Sequence, residues 1–310
     1  MYSPLRPPIG IQRDWSWRGW QARYSFLPPE IASEDRPPLL FIHGFGASIG
    51  HWRQNIPYFA QHHPVYALDL VGFGASEKIE QAFNVDFWVQ QVHDFWHTLI
   101  QTPVILVGNS IGSLVCMAIA AQYPDLCRGV VLLNLPDTTL REEMIPTWVR
   151  PWVTRIEQLF TTPLILKPLF YLLRSPALLK RWARLAYHDG AAVTEELMEI
   201  LALPTRDRGA AQTFVCLFQS MPKASFGPSA KLTLPRIQAP ILLLWGQQDR
   251  MVMPHFGHQF ARCNPQITHV QLEQAGHCPQ DERPEQVNAI LADWMDKQGL
   301  GAVASSRCAP

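Results

Sequence analysis

One stretch constrains this chain more than any other: Thr102–Gln122, "TPVILVGNSIGSLVCMAIAAQ". It opens at a proline and runs through a continuous apolar segment, the pattern of a strand buried on both faces. It then turns at Gly108-Asn109-Ser110-Ile111-Gly112 into a helix of small residues. A serine between a buried strand and a helix has its hydroxyl presented above the sheet, with a backbone N–H at the helix N-terminus to meet negative charge. The turn demands glycine nearby, because larger side chains would collide. Such a unit needs a sheet to sit in, and the rest of the chain supplies the strands.

"RPPLLFIHGFG", "HPVYALDLVGFG", "CRGVVLLNLP" and "APILLLWGQQD" repeat the apolar run bounded by Pro and Gly, and "THVQLEQAGH" adds an alternating strand. Amphipathic stretches such as Val85–Ile100 and Ile111–Gln122 read as crossover helices. Repeated β-then-α units predict an α/β fold with a mostly parallel, doubly wound sheet. The early "WSWRGWQARYSFL" alternates and predicts an antiparallel edge hairpin. From about Thr138 to Leu234 the strand signal stops and helix-like text broken by prolines takes over. This predicts an inserted helical lid at 138–234 between two parts of the core, 1–137 and 235–298, followed by a flexible tail at 299–310. The lid is dense in Trp, Phe and Leu. Its charges between Ile145 and Tyr187 are nearly all basic: Arg150, Arg155, Lys167, Arg174, Lys180, Arg181 and Arg184 against Glu157. Such a lid packs its apolar faces on the core, or it forms a greasy tunnel with a basic surface able to rest on anionic lipid.

Composition narrows the function classes. Lys and Arg number 26, as do Asp and Glu, so the net charge of zero and the lack of like-charge runs argue against a nucleic-acid partner. No apolar run suits a transmembrane helix, and "MYSPLRPPIG" lacks the apolar core of a secretory signal, so a cytoplasmic location is expected. The six cysteines are scattered without a C-x-x-C pair. They read as reduced, mostly buried thiols, with no metal site and no cofactor implied.

Gly-x-Ser-x-Gly occurs twice, at Gly46–Gly50 and Gly108–Gly112. Ser48 lies five residues beyond His43, where the preceding strand has already ended, so Ser110 is the candidate nucleophile. The loop His43-Gly44-Phe45-Gly46 follows an early strand, where sheets of this kind place half of an oxyanion hole. The expected donors are the backbone N–H groups of Phe45 and Ile111, each typically worth about 10²–10³ in rate. An alcohol nucleophile needs a base near neutral pH. His277 follows the last strand in "EQAGHCPQDERPEQV"; His255, His258 and His269 compete but follow no strand end with a glycine turn. Asp249 ends the strand "ILLLWGQQD" and is favoured as the acid that orients the histidine, with Asp137 as the alternative. Residues expected to touch substrate are His43, Gly44, Gly46 and Asn109 beside the two loops, and Trp148, Trp152 and Phe160 in the lid.

Together these residues resemble the α/β-hydrolase superfamily over nearly the whole chain. "HGFGASIGHWRQNI", "VYALDLVGFGASEK", "GNSIGSL" and "AGHCPQDERPEQVN" resemble the chlorophyll dephytylase and pheophytinase-like hydrolases of cyanobacteria and chloroplasts. The resemblance is nearer to dephytylases, since pheophytinases tend to carry Leu-Pro-Gly-Phe-Gly where this chain has Ile42-His43-Gly44-Phe45-Gly46. It implies hydrolysis of the ester joining a chlorin propionate to phytol, by a Ser110–His277–Asp249 triad with Phe45 and Ile111 at the oxyanion. It also implies a hydrophobic ester as substrate, while the basic, aromatic lid is the ground for expecting peripheral membrane contact, at the thylakoid if the resemblance holds. Ser113 departs from the pattern, standing where many relatives have a second glycine. Burying a twenty-carbon isoprenoid gains about 0.8 kcal/mol per methylene, which suits an apolar lid, but any long-chain ester gains similarly. A general carboxylesterase or lipase is therefore the rival enzyme, and a non-catalytic ligand receptor the rival from another class. Haloalkane dehalogenases and many epoxide hydrolases put Asp where Ser110 stands.

Overall fold

The computed structural model describes residues 9–31, 36–137, 139 and 161–300. Trp148, Trp152 and Phe160 of the expected lid lie outside the described residues. Eight strands form one sheet: β1 (Ile11–Trp17), β2 (Trp20–Leu27), β3 (Leu39–Ile42), β4 (Val65–Leu68), β5 (Val104–Asn109), β6 (Cys127–Leu133), β7 (Ile241–Gly246) and β8 (Ile267–Leu272). Their spatial order is β1-β2-β4-β3-β5-β6-β7-β8. The expected hairpin forms, with Trp17 opposite Trp20, and β2 continues antiparallel onto β4. Every later pairing is parallel.

The continuous apolar runs have the reason expected of them: the central strands are covered on both sides. Alternate residues divide between two cores. Leu40, Ile42, Val104 and Leu106 face one layer, which α1 (Val85–Phe95) and α2 (Ile111–Gln122) cover with Trp88, Phe95, Leu114 and Met117. Leu39, Phe41, Ile105 and Val107 face the other, against Trp52, Ile56 and the C-terminal helix Pro284–Lys297. Asn84 caps α1, its side-chain oxygen accepting the Phe87 N–H at 2.8 Å. The amphipathic stretch Val85–Ile100 is not one regular helix. Its last turn, Trp96–Ile100, widens to a π-helix and stops at Gln101, which takes a left-handed conformation.

Between β6 and β7 the described residues hold helices and no strand. The longer of these are α3 (Pro163–Leu173), α4 (Pro176–Ala186), α5 (Glu195–Ala202) and α6 (Ala210–Ser220). A small core of their own, Ala183, Tyr187, Leu197 and Met198, includes Cys278 from the loop after β8. The layer over the sheet is thus anchored beside the most C-terminal loop of the candidate site.

Candidate active site

β5 ends in a turn that only particular residues tolerate. Ser110 has φ +54° and ψ −118°, a strained conformation for a residue with a side chain, costing about 1–3 kcal/mol. Helix α2 has to start against the ends of neighbouring strands. A Cβ on Gly112 would run into the carbonyls of Ile42 and His43, and one on Gly108 into that of Gly112. Ser110 occupies the N-cap position of α2 yet makes no side-chain capping bond, so helix capping does not consume its hydroxyl. Ser113 fills the space of the expected glycine. Fully buried, its hydroxyl lies 2.8 Å from both the Gly108 and Leu133 carbonyls, tying α2 to the ends of β5 and β6.

The His43–Gly46 loop packs against this turn: a Cβ on Gly44 would stand 3.2 Å from the Ser110 Cβ. Gly44, Phe45, Gly46, Asn109, Ser110 and His277 all line one cavity of about 500 Å³. Phe45 flanks it, its ring 5.6 Å from Phe73 and 5.8 Å from Phe218 of α6. Asn109 braces the histidine loop, donating from Nδ2 to the His277 carbonyl at 3.0 Å. Ile111 is buried behind the turn as the first residue of α2. The remaining wall is largely apolar and comes from α3, α4 and α6, including Leu169, Phe170, Trp182 and Phe214. Ser48 precedes the short turn Ile49–Trp52 and is not part of this lining.

His43, expected to touch substrate, is placed otherwise. It is completely buried, outside the cavity lining, and holds the loop from below. Its Nε2 accepts the Leu70 N–H at 3.1 Å, so the proton sits on Nδ1, which donates to the Gly44 carbonyl at 2.7 Å. Burial holds this imidazole below its ordinary pKa and hence neutral.

His277 Nδ1 and Asp249 Oδ2 are 2.8 Å apart, which leaves Nε2 as the ring nitrogen available to the cavity. Burial by itself would push the Asp249 carboxyl up. The hydrogen bond and charge of His277, with bonds from Asn134 and Val252, outweigh it and hold the carboxyl below its usual value. Asp249 Oδ1 accepts the Met251 and Val252 amides at 2.7 and 3.0 Å. Asp137 is engaged elsewhere, accepting from Thr139 and from the Ala230 amide at 2.9 Å. His269 and His258 pack against each other at 4.9 Å, outside the cavity lining.

Two groups of residues were not singled out by motif. Asn134, at φ +50° after β6, donates from Nδ2 to Asp249 Oδ2 at 2.7 Å and to the Gly276 carbonyl at 3.2 Å. The second group bolts the end of α4 to the histidine loop. The His277 amide donates to the Ala186 carbonyl at 2.6 Å and the Asp189 amide to Glu282 at 2.5 Å. The Tyr187 hydroxyl donates to Asp281 at 2.6 Å and lies 2.8 Å from His51 Nε2, while Arg53 pairs with the other Asp281 oxygen. Among the described residues no group of three or more His, Cys, Asp and Glu side chains is placed to hold a metal ion.

The fold and the site's residues define an α/β hydrolase, and the chain belongs to that family: the pattern of the alpha/beta hydrolase fold matches residues 37–284. Chloroplastic pheophytinase of Arabidopsis thaliana is 25% identical over 301 residues, covering 84% of this chain but only 61% of the pheophytinase. An uncharacterized hydrolase of Bacillus subtilis, YugF, is 27% identical over 270 residues, covering 84% of this chain and 90% of that protein. In three dimensions the chain is similar to a serine hydrolase involved in carbazole degradation, the CarC enzyme. The TM-score is 0.75 at 20% identity, with 93% of this chain and 99% of that one covered.

Proposed function

We propose that the protein is a serine esterase acting on a large hydrophobic ester, and that this ester is the phytyl ester of chlorophyll or of its metal-free form, pheophytin. The observation that carries the reading is one apolar cavity holding both Ser110, on its strained turn, and His277, whose Nδ1 is engaged by Asp249. In this mechanism His277 Nε2 takes the Ser110 proton as the hydroxyl oxygen attacks the ester carbonyl. The resulting oxyanion is met by the Phe45 and Ile111 amides. Asp249 stabilises the imidazolium and stays ionised. Collapse breaks the ester C–O bond, and the His277 proton passes to the departing alcohol. Water, activated by the same histidine, then cleaves the acyl-serine. The cavity, about 500 Å³ and largely apolar, is of ordinary size for a small-molecule site. The pheophytinase resemblance supports the pigment; the apolar wall equally suits other long-chain esters, which form the second reading.

The test incubates the purified protein and its Ser110→Ala variant with chlorophyll a, pheophytin a and simple nitrophenyl esters. Formation of the dephytylated pigment by the unmutated protein alone is expected. Turnover of short esters without pigment cleavage would sink the pigment assignment, and full turnover by Ser110→Ala would sink the mechanism.

A further inference from the structure

Outside that cavity lies a second cleft of about 390 Å³ with a cationic lining. Lys167 and Arg174 reach it from α3, and Arg206 and Arg208 from the turn leading into α6. Among the described residues the one carboxylate in the lining, Asp207, is already held by Lys78 at 3.0 Å. Among the described residues, none of the four cations has an ion-pair partner. The Arg174 guanidinium instead lies over the Tyr171 ring, 4.6 Å from its centroid. Among the described residues this positive charge is left unmatched, and such a concentration favours an anion.

Helix α3 adds a second, independent observation. Its inward face is apolar, with Leu166 and Phe170 buried. Its outward face is not the mixed-charge surface of an ordinary globular helix. Leu164, Lys167 and Tyr171 follow one another there at helical spacing, and Leu164 is 87% exposed, Leu172 58% and Tyr171 54%. From Thr161 to His188 the chain has five Lys and Arg and no Asp or Glu. Exposed apolar side chains interleaved with cations suit a bilayer interface, where the apolar groups enter the acyl boundary and the cations meet the headgroups. Phe170, Arg174, Thr205 and Ala210 line both cleft and cavity, so the two adjoin.

We propose that the cleft binds the anionic headgroups of a lipid bilayer, seating α3 in the interface with the apolar cavity beside it. A freely dissolved anion would account for the cations but leave Leu164, Tyr171 and Leu172 in water. The placement goes beyond the esterase reading and does not depend on it.

The test is co-sedimentation of the full chain with phosphatidylcholine vesicles, with and without phosphatidylglycerol, at low and high salt. Binding is expected to the anionic vesicles and to weaken with salt. The combined Lys167→Glu, Arg206→Glu and Arg208→Glu variant is expected to partition at least about tenfold less. Its thermal unfolding and its turnover of a soluble nitrophenyl ester should be unchanged. The matching Gln variant should fall between the two. Equal binding to both vesicle types, no binding to either, or no effect of the triple variant would overturn the proposal. So would displacement by inorganic phosphate at constant ionic strength, which would mark a site for a soluble anion.

Discussion

Two donors hold the same Asp249 oxygen, His277 at 2.8 Å and Asn134 at 2.7 Å, and only the first was visible as a motif. In the proposed mechanism Asn134 would act through Asp249, as a positioning residue. Removing a hydrogen bond to a charged acceptor costs about 1.5–3 kcal/mol, so Asn134→Ala should lower kcat roughly tenfold to a hundredfold with KM little changed. Asn134→Asp separates position from charge. It puts a second carboxylate beside Asp249, and like charges disfavour joint ionisation, so the pair's apparent pKa rises. The acidic limb of kcat/KM should then move to higher pH. Steady-state kinetics across pH on both variants checks this, and an unmoved acidic limb in Asn134→Asp would reduce Asn134 to packing. The sign for the unmutated protein follows from the lowered Asp249 value. Its stabilising contribution is complete above the ordinary carboxylate pKa and is lost as pH falls through the lowered one.

At the scale of elements, the Gly108–Gly112 turn is the part most legible in sequence, because strand, turn and helix are contiguous. Gly112→Ala should destabilise by about 3 kcal/mol or more, since its new Cβ meets backbone carbonyls that cannot move aside. Ser113→Gly should cost about 1–2 kcal/mol, from the lost hydroxyl bonds and poorer helix propensity, and leave the reaction intact. Chemical denaturation of both variants reads these differences. The hairpin, the parallel strands and α2 were legible for the same local reason. The polar bridges were not: 115 residues separate Asn134 from Asp249 and 94 separate Tyr187 from Asp281. Sheet order and the placement of the helices between β6 and β7 bring those pairs together, and no short-range pattern encodes either. His43 was misplaced because a polar residue in a glycine loop reads as a ligand contact until its two backbone partners are seen. Tyr187→Phe removes the donor to Asp281, and a loss of about 1–3 kcal/mol is expected from the buried carboxylate it leaves short of a partner.

Across the whole molecule, burial sets the response to acid. His43, His51 and His63 are all held below the ordinary histidine pKa chiefly by burial, His51 at about 4. An unfolded chain takes up these protons first, so stability is full above about 6.5 and falls as pH drops from there toward 4. Thermal unfolding measured over that window should show Tm declining with pH, and His51→Gln should make the decline shallower. A pH-independent Tm would contradict neutral burial of these rings. The sheet order has a further consequence, for the ribosome rather than the test tube. Ser110 follows a central strand made early, whereas Asp249 and His277 follow β7 and β8, after the described helices between β6 and β7. In the proposed mechanism a nascent chain would therefore carry Ser110 without its partners until the last described strand docks.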